Sequence, residues 1–96
     1  MRQILIEKCI PNTEIYQWVV RYDVYKTEFW RNETGELHSI LCHPAVIRYC
    51  NGQTYSKEWF KNGKIHRIKH PAIIIYENEK IIEQQWYNNG EFIKNE

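Results

Sequence analysis

This chain has little net charge, little leucine or alanine, no paired-cysteine motif and no long apolar run, and each shortage removes a class of protein. Thirteen Lys and Arg against twelve Asp and Glu leave a formal net charge of +1, without the global field that phosphate-driven nucleic-acid binding draws on. Cys9, Cys42 and Cys50 are an odd set with no C-x-x-C spacing, which argues against a disulfide framework and fits reduced thiols of the cytosol. Near the start, Ile4-Leu5-Ile6 is interrupted by Glu7 and Lys8. That stretch is too short and too charged for a signal peptide or a membrane span, so the expected location is cytoplasmic, with no membrane partner. All four glycines sit in turn contexts, and none builds a phosphate-cradling loop.

What is present is β-branched and aromatic. Fourteen Ile stand against three Leu and two Ala, a balance that suits a pleated surface and costs entropy in a helix. Ninety-six residues with 43% apolar and 15% aromatic content make one small domain. Richness in Asn, Lys and Ile fits an A/T-rich genome, such as that of a low-GC bacterium, its phages or a large DNA virus.

The strongest pattern is a repeat. Val19-Val20-Arg21-Tyr22 returns as Val46-Ile47-Arg48-Tyr49 and as Ile73-Ile74-Ile75-Tyr76, each copy 27 positions after the last. His43-Pro44-Ala45 recurs as His70-Pro71-Ala72, and Trp59 with Asn62-Gly63 recurs as Trp86 with Asn89-Gly90. A fixed step of this length marks stacked supersecondary units that cannot bury their apolar faces alone. Asn-Gly supplies the two positive φ angles of a type I′ turn, so residues 56–68 read as a hairpin. It pairs Lys61 with Lys64, Phe60 with Ile65, Trp59 with His66, and Glu58 with Arg67 as an ion pair. The copy at Asn89-Gly90 pairs Tyr87 with Phe92 and Trp86 with Ile93. In the first copy, residues 32–35 read as a four-residue loop pairing Arg31 with Glu36 and Trp30 with Leu37, with the aromatic order reversed.

The fold expected is all-β: an antiparallel meander of 27-residue hairpin repeats, eight to ten strands forming a curled or elongated sheet. It is a single domain over residues 1–96. Residues 1–18 stand outside the repeat, and residues 19–96 hold about three units, the last truncated. A first strand is expected from Ile4 to Ile10 and a second from Ile15 to Tyr25, with Trp18, Trp30, Trp59 and Trp86 as interior anchors.

The stretch Trp59-Phe60-Lys61-Asn62-Gly63-Lys64-Ile65-His66-Arg67, followed by Pro71-Ala72, resembles a MORN-variant repeat. Residues 29–49 are similar in retaining His38 and Pro44-Ala45, and Trp86-Tyr87-Asn88-Asn89-Gly90 opens a shortened third copy. The resemblance covers roughly residues 29–92 and implies an array of antiparallel β-hairpins. Such repeats occur in bacterial antitoxin-like proteins, phages and large viruses, which implies protein binding more than chemistry. The regular Tyr-x-Gly spacing of the standard MORN repeat is missing, so its lipid-binding role is not carried over.

Candidate chemistry is thin. His38, Cys42 and His43, with His66 and His70, have the right ligand types for zinc, yet the histidines recur with the repeat and read as scaffold. Cys42 beside His43 suggests a thiol nucleophile and its base, but strand neighbours point to opposite faces. Glu28, Glu58 and Glu83 are the acids that solvent-facing strands place routinely, not a catalytic pair. No metal and no cofactor is expected.

The leading expectation is a non-enzymatic binding protein that docks on a larger protein, possessing no catalytic set, and inhibits it. An antitoxin or immunity protein, or a phage inhibitor of a defence nuclease of the anti-CRISPR kind, is the setting implied. From Lys57 to His70 five bases face one acid, and from Glu77 to Glu96 five acids face two lysines. A solvated strand face accounts for both runs, but the basic one is also suited to an acidic partner. Its residues Lys57, Lys61, Lys64, Arg67 and Lys69, with Tyr55 beside them, are the expected partner-binding set. The alternative is a nucleic-acid-binding module using residues 57–70, with Trp59, Phe60 or Tyr55 stacking on bases. A zinc or thiol enzyme is the remote alternative. The truncated last unit leaves the edge at residues 88–94 open to a second chain, hence a homodimer.

Overall fold

Alternating β-branched and polar residues between tight turns build strands, and among the described residues there is no helix. The computed structural model describes residues 4–9, 16–40 and 42–96, with side chains from Val19 onward except at position 41. The strands are β1 (Ile4–Cys9), β2 (Tyr16–Tyr22), β3 (Tyr25–Arg31), β4 (Val46–Cys50), β5 (Gln53–Glu58), β6 (Phe60–Lys61), β7 (Lys64–Ile65), β8 (Ile73–Glu77), β9 (Lys80–Asn88) and β10 (Glu91–Asn95). Eight of them form one antiparallel sheet in the order β1-β2-β3-β4-β5-β8-β9-β10, and β6 with β7 forms a separate two-stranded sheet. The meander stays open, with β1 and β10 at its edges, and the molecule is a slab of 35 × 32 × 19 Å. Among the described residues no helix is long and apolar enough to cross a membrane.

The repeat is visible in the register. β4 on β5 pairs Val46 with Glu58, Ile47 with Lys57, Arg48 with Ser56, Tyr49 with Thr54 and Cys50 with Gln53. β8 on β9 repeats every one of these pairs 27 residues later, from Ile73 with Gln85 to Glu77 with Lys80, and repeats the bulge as well. The turns obey their chemistry: Asn51, Asn62 and Asn89 have φ of 52°, 48° and 46°, each followed by a glycine at positive φ.

Burial is concentrated where one unit meets the next. Ala45 and Ala72 are fully enclosed, and Trp30, Val46, Trp59 and Ile74 are buried with them. Full enclosure leaves no room there for a side chain larger than alanine's. Ala45 N donates to Glu58 O at 2.8 Å while its carbonyl accepts from Trp30 N at 2.8 Å. Ala72 stands in the same way between Gln85 and Trp59, at 2.7 and 2.8 Å.

Several expectations need correction. The strand from Ile15 to Tyr25 is interrupted: β2 ends at Tyr22, and Asp23, at φ 57°, turns the chain into β3. Asp-Val carries no glycine, so the sequence hid this turn, which aspartate makes possible by tolerating the left-handed region. In the first hairpin Arg31 bridges to Leu37 and His38 N donates to Trp30 O at 3.1 Å, one residue off the expected register. The cause is Asn32, whose Oδ1 accepts from Thr34 N, Thr34 Oγ1 and Glu36 N and so draws in a tighter loop. Trp30 therefore fills the seat of Trp59, whose carbonyl takes His66 N at 3.0 Å, and the aromatic order is not reversed. At the last hairpin a bulge at Ile93 sets Lys94, not Ile93, opposite Trp86. Glu58 pairs with Arg48 at 2.7 Å rather than with Arg67, because β5 leaves the hairpin to join β4. Of the expected anchors, Trp30 and Trp59 are buried, Trp86 is only half-buried, and the side chain of Trp18 lies outside the described residues.

Candidate functional site

The hairpin β6–β7 leaves the main sheet and packs across the preceding loop, and a groove opens between them. Its volume is about 420 Å³, and it is lined by His38, Ser39, Cys42, Trp59, Phe60, Lys61, His66, Arg67, Ile68 and His70. Backbone bonds between successive units hold its walls. Ser39 N donates to Phe60 O at 2.8 Å, Phe60 N donates to Ser39 Oγ at 3.0 Å, and Gly63 N donates to Leu37 O at 2.8 Å.

The histidines fix the stacking. Asn62 N donates to His38 Nδ1 at 3.1 Å, and one unit later Asn89 N donates to His66 Nδ1 at 2.9 Å. Each imidazole thus accepts the first amide of the next turn, which assigns its proton to Nε2. His43 instead lies edge-on to Trp30, ring centres 4.4 Å apart, with Nδ1 2.7 Å from Pro44 O. Among the described residues no three His, Cys, Asp or Glu side chains come together as a metal site.

The floor of the groove is an aromatic–cation stack. Arg67 Cζ lies 3.8 Å from the Trp59 ring centre, and its Nη1 donates to Pro71 O at 3.1 Å. Burial lowers the Arg67 guanidinium from its ordinary value, with the nearby Cys42 and Tyr76 side chains acting in the opposite direction. It keeps its charge, since arginine starts near the top of the scale. Trp59, 5% exposed, donates Nε1–H to Cys42 O at 3.0 Å. Arg67, and not the ring of its strand partner His66, packs on Trp59, and a base could reach that face of the indole only by displacing it. Cys42 and His43 sit in a turn, not on a strand as supposed. There the imidazole is engaged by Trp30 and Pro44, while Cys42 is an exposed free thiol on the groove wall.

The six residues expected to form one partner-binding patch are dispersed. Lys61 and Arg67 line the groove. Lys57 reaches over the Tyr76 ring at 5.5 Å, beside a smaller depression of about 240 Å³. The Lys64 side chain lies against Gly90, and Lys69 is exposed at φ 67°. Tyr55 meets Tyr25 edge-on at 6.4 Å. The dispersal follows from the bulge opposite Arg48 and Tyr49, where Tyr55 is the unpaired extra residue, and from the departure of the hairpin after Trp59. Composition missed Ser39, Ile68 and the histidines as groove lining; His38 and His66 stand 28 residues apart, one more than the repeat step, and are related by the same bond to the next turn.

A polar line crosses the sheet apart from the groove. Register places Thr27, Arg48, Ser56, Ile75 and Glu83 side by side on successive strands. Glu58 Oε2 accepts from Arg48 Nε at 2.7 Å and from buried Ser56 Oγ at 3.2 Å, and the Glu58 hydrogen bond holds Arg48 above its ordinary value. Tyr49 OH donates to Glu28 Oε1 at 2.5 Å, and burial, then this bond, push the phenol up to about 12. Gln85 donates to Glu83 and accepts from Tyr87 OH.

No family model, no curated protein and no solved structure matches this chain.

Proposed function

We propose that the chain is a non-catalytic protein-binding module whose groove receives an acidic, partly apolar segment of a larger partner. The observation that supports this reading most is the groove lining. Lys61, Arg67, His38, His66 and His70 stand beside Trp59, Phe60 and the 68%-exposed Ile68, with no acidic side chain among these described residues. A volume of about 420 Å³ falls within the range of roughly 300–1,000 Å³ typical of ligand sites. Fixed positive charge favours a carboxylate over a neutral side chain and raises the rate of encounter. Inhibition of the bound protein, in an antitoxin, immunity or phage anti-defence setting, is the role that the likeness to MORN-variant repeats supports.

The groove supports a peptide better than a nucleic acid because Trp59 already carries Arg67 and Phe60 is half-buried in the hairpin. Labelled peptides with Asp or Glu next to Leu or Phe, and a mixed single-stranded oligonucleotide, separate the two by fluorescence anisotropy. The peptides should bind, and exposed-site Lys61→Glu should weaken them about tenfold. Oligonucleotide binding with a steep salt dependence and no peptide binding would reject the reading.

A further inference from the structure

The groove is rich in hydrogen-bond donors and poor in acceptors. Because Asn62 N donates to His38 Nδ1 and Asn89 N to His66 Nδ1, both rings carry their proton on Nε2, and neither Nε2–H has a partner among the described residues. The stacking of the units thus fixes two donors in place. Ser39 Oγ accepts from Phe60 N at 3.0 Å, which leaves its hydroxyl proton to donate. Carbonyl oxygens along the walls are already engaged: Cys42 O takes Trp59 Nε1–H at 3.0 Å, Trp59 O takes His66 N at 3.0 Å, and Phe60 O takes Ser39 N at 2.8 Å. Of the lining histidines, only His70 keeps a choice of tautomer.

Two cations complete the set, and neither is in an ion pair with a described residue. Arg67, lying over Trp59, spends Nη1 on Pro71 O and keeps its other N–H groups, while Lys61 is exposed on the lining. Glu36, whose side chain lies beside Gly63 at the hairpin tip, takes Thr34 Oγ1 and does not line the groove. The next interface of the array is built differently. There Lys94 lies over Trp86 at 4.7 Å, as Arg67 lies over Trp59, and uncharged Asn88 stands 27 residues on from Lys61. A cation on tryptophan therefore belongs to the scaffold, whereas a guanidinium fork accompanied by a second cation is particular to this groove.

Such a set suits a phosphomonoester better than a carboxylate. A carboxylate brings one charge and two oxygens, but a phosphorylated side chain brings about −1.5 to −2 and three acceptor oxygens. Two unpaired cations match that charge, and arginine's planar fork takes phosphate oxygens in pairs. The phosphodiester of a nucleic acid carries a single charge, no more than the carboxylate. We infer that the acidic group the groove receives is a phosphorylated side chain of the partner, an inference that rests on reading the groove as the seat of an acidic, partly apolar segment. His38, Ser39 and His66 donate to the phosphate oxygens, and Lys61 and Arg67 balance the charge. An apolar neighbour of the phosphorylated residue lies against Phe60 and exposed Ile68.

The test uses three labelled peptides of one sequence, with leucine on both sides of a serine, an aspartate or a phosphoserine, titrated into the full chain by fluorescence anisotropy. The phosphoserine peptide should bind about tenfold tighter than the aspartate peptide, and the serine peptide about tenfold weaker than the aspartate one. Lys61→Gln, at an exposed position, and Arg67→Lys, which keeps the charge but loses the fork, should each remove most of the phosphoserine advantage. The imidazole proton–nitrogen spectrum gives a readout that needs no substitution, since the phosphopeptide should shift the Nε2 resonances of His38 and His66. Equal affinity for phosphoserine and aspartate would overturn the inference and leave the acidic-segment reading standing, whereas binding of neither would remove both. Tighter binding of a single-stranded oligonucleotide than of the phosphopeptide would overturn it in favour of nucleic acid.

Discussion

Trp59 and Trp86 occupy the same repeat position under different cover, and replacing each with phenylalanine measures what stacking contributes. Trp59 is 5% exposed, lies under Arg67 and donates Nε1–H to Cys42 O at 3.0 Å. Phenylalanine removes that donor, at a cost of about 1 kcal/mol. It also shrinks a side chain whose full truncation costs about 3–5 kcal/mol, so the lost packing adds roughly 1–1.5 kcal/mol. Trp59→Phe should therefore destabilise by about 2–2.5 kcal/mol. Trp86 is half-buried, with Lys94 Nζ 4.7 Å from its ring centre, and Trp86→Phe should cost under about 1 kcal/mol. With a slope of about 1.5 kcal/mol per molar urea, the Trp59 variant loses about 1.5 M of midpoint and the Trp86 variant less than about 0.7 M. Circular dichroism near 218 nm follows both transitions. Equal losses would refute the reasoning, because burial by the next unit would then not be what holds the array together.

Three further outcomes follow from the same geometry. His66→Ala removes the acceptor of the Asn89 amide, so exchange at Asn89 should speed up about fivefold, the equivalent of about 1 kcal/mol; an unchanged rate would show that the imidazole does not hold the next turn. Tyr49 is raised from 10.0 to about 12, so its protonated form belongs to the fold. The resulting stability is fully present below about pH 10 and is lost as pH rises from 10 through 12; after allowance for solvent screening it amounts to about 1 kcal/mol. Absorbance at 295 nm should show one late-titrating phenol that Tyr49→Phe removes. Arg48→Met leaves the Glu58 carboxylate, 14% exposed, with only Ser56 Oγ, and should cost about 2–3 kcal/mol in urea unfolding, against about 1 kcal/mol for Glu58→Gln.

The repeat step made most of the fold legible, because turn chemistry and strand period are local. Asn62-Gly63 and Asn89-Gly90 fixed their hairpins, and Phe60 with Ile65 and Tyr87 with Phe92 pair as read. What stayed hidden was decided by competition between partners distant in sequence. Glu58 faced Arg67 across the hairpin but belongs to β4 and Arg48. The turn at Asp23 lacked a glycine, and the Asn32 side chain redrew the loop beside it. The groove was half legible. Lys61 and Arg67 were named from charge, but their separation from Lys57, Lys64, Lys69 and Tyr55 came from a bulge and a departing hairpin that local pattern does not reveal.

The central claim, that the groove binds a partner's acidic segment, is tested most directly by amide chemical-shift mapping with an Asp- or Glu-containing apolar peptide. The account predicts saturable shifts confined to His38, Ser39, Phe60, Lys61, Arg67, Ile68 and His70, and their loss in the Lys61→Glu chain. Shifts confined to the polar line at Arg48 and Glu83, or none at any peptide concentration, would contradict it.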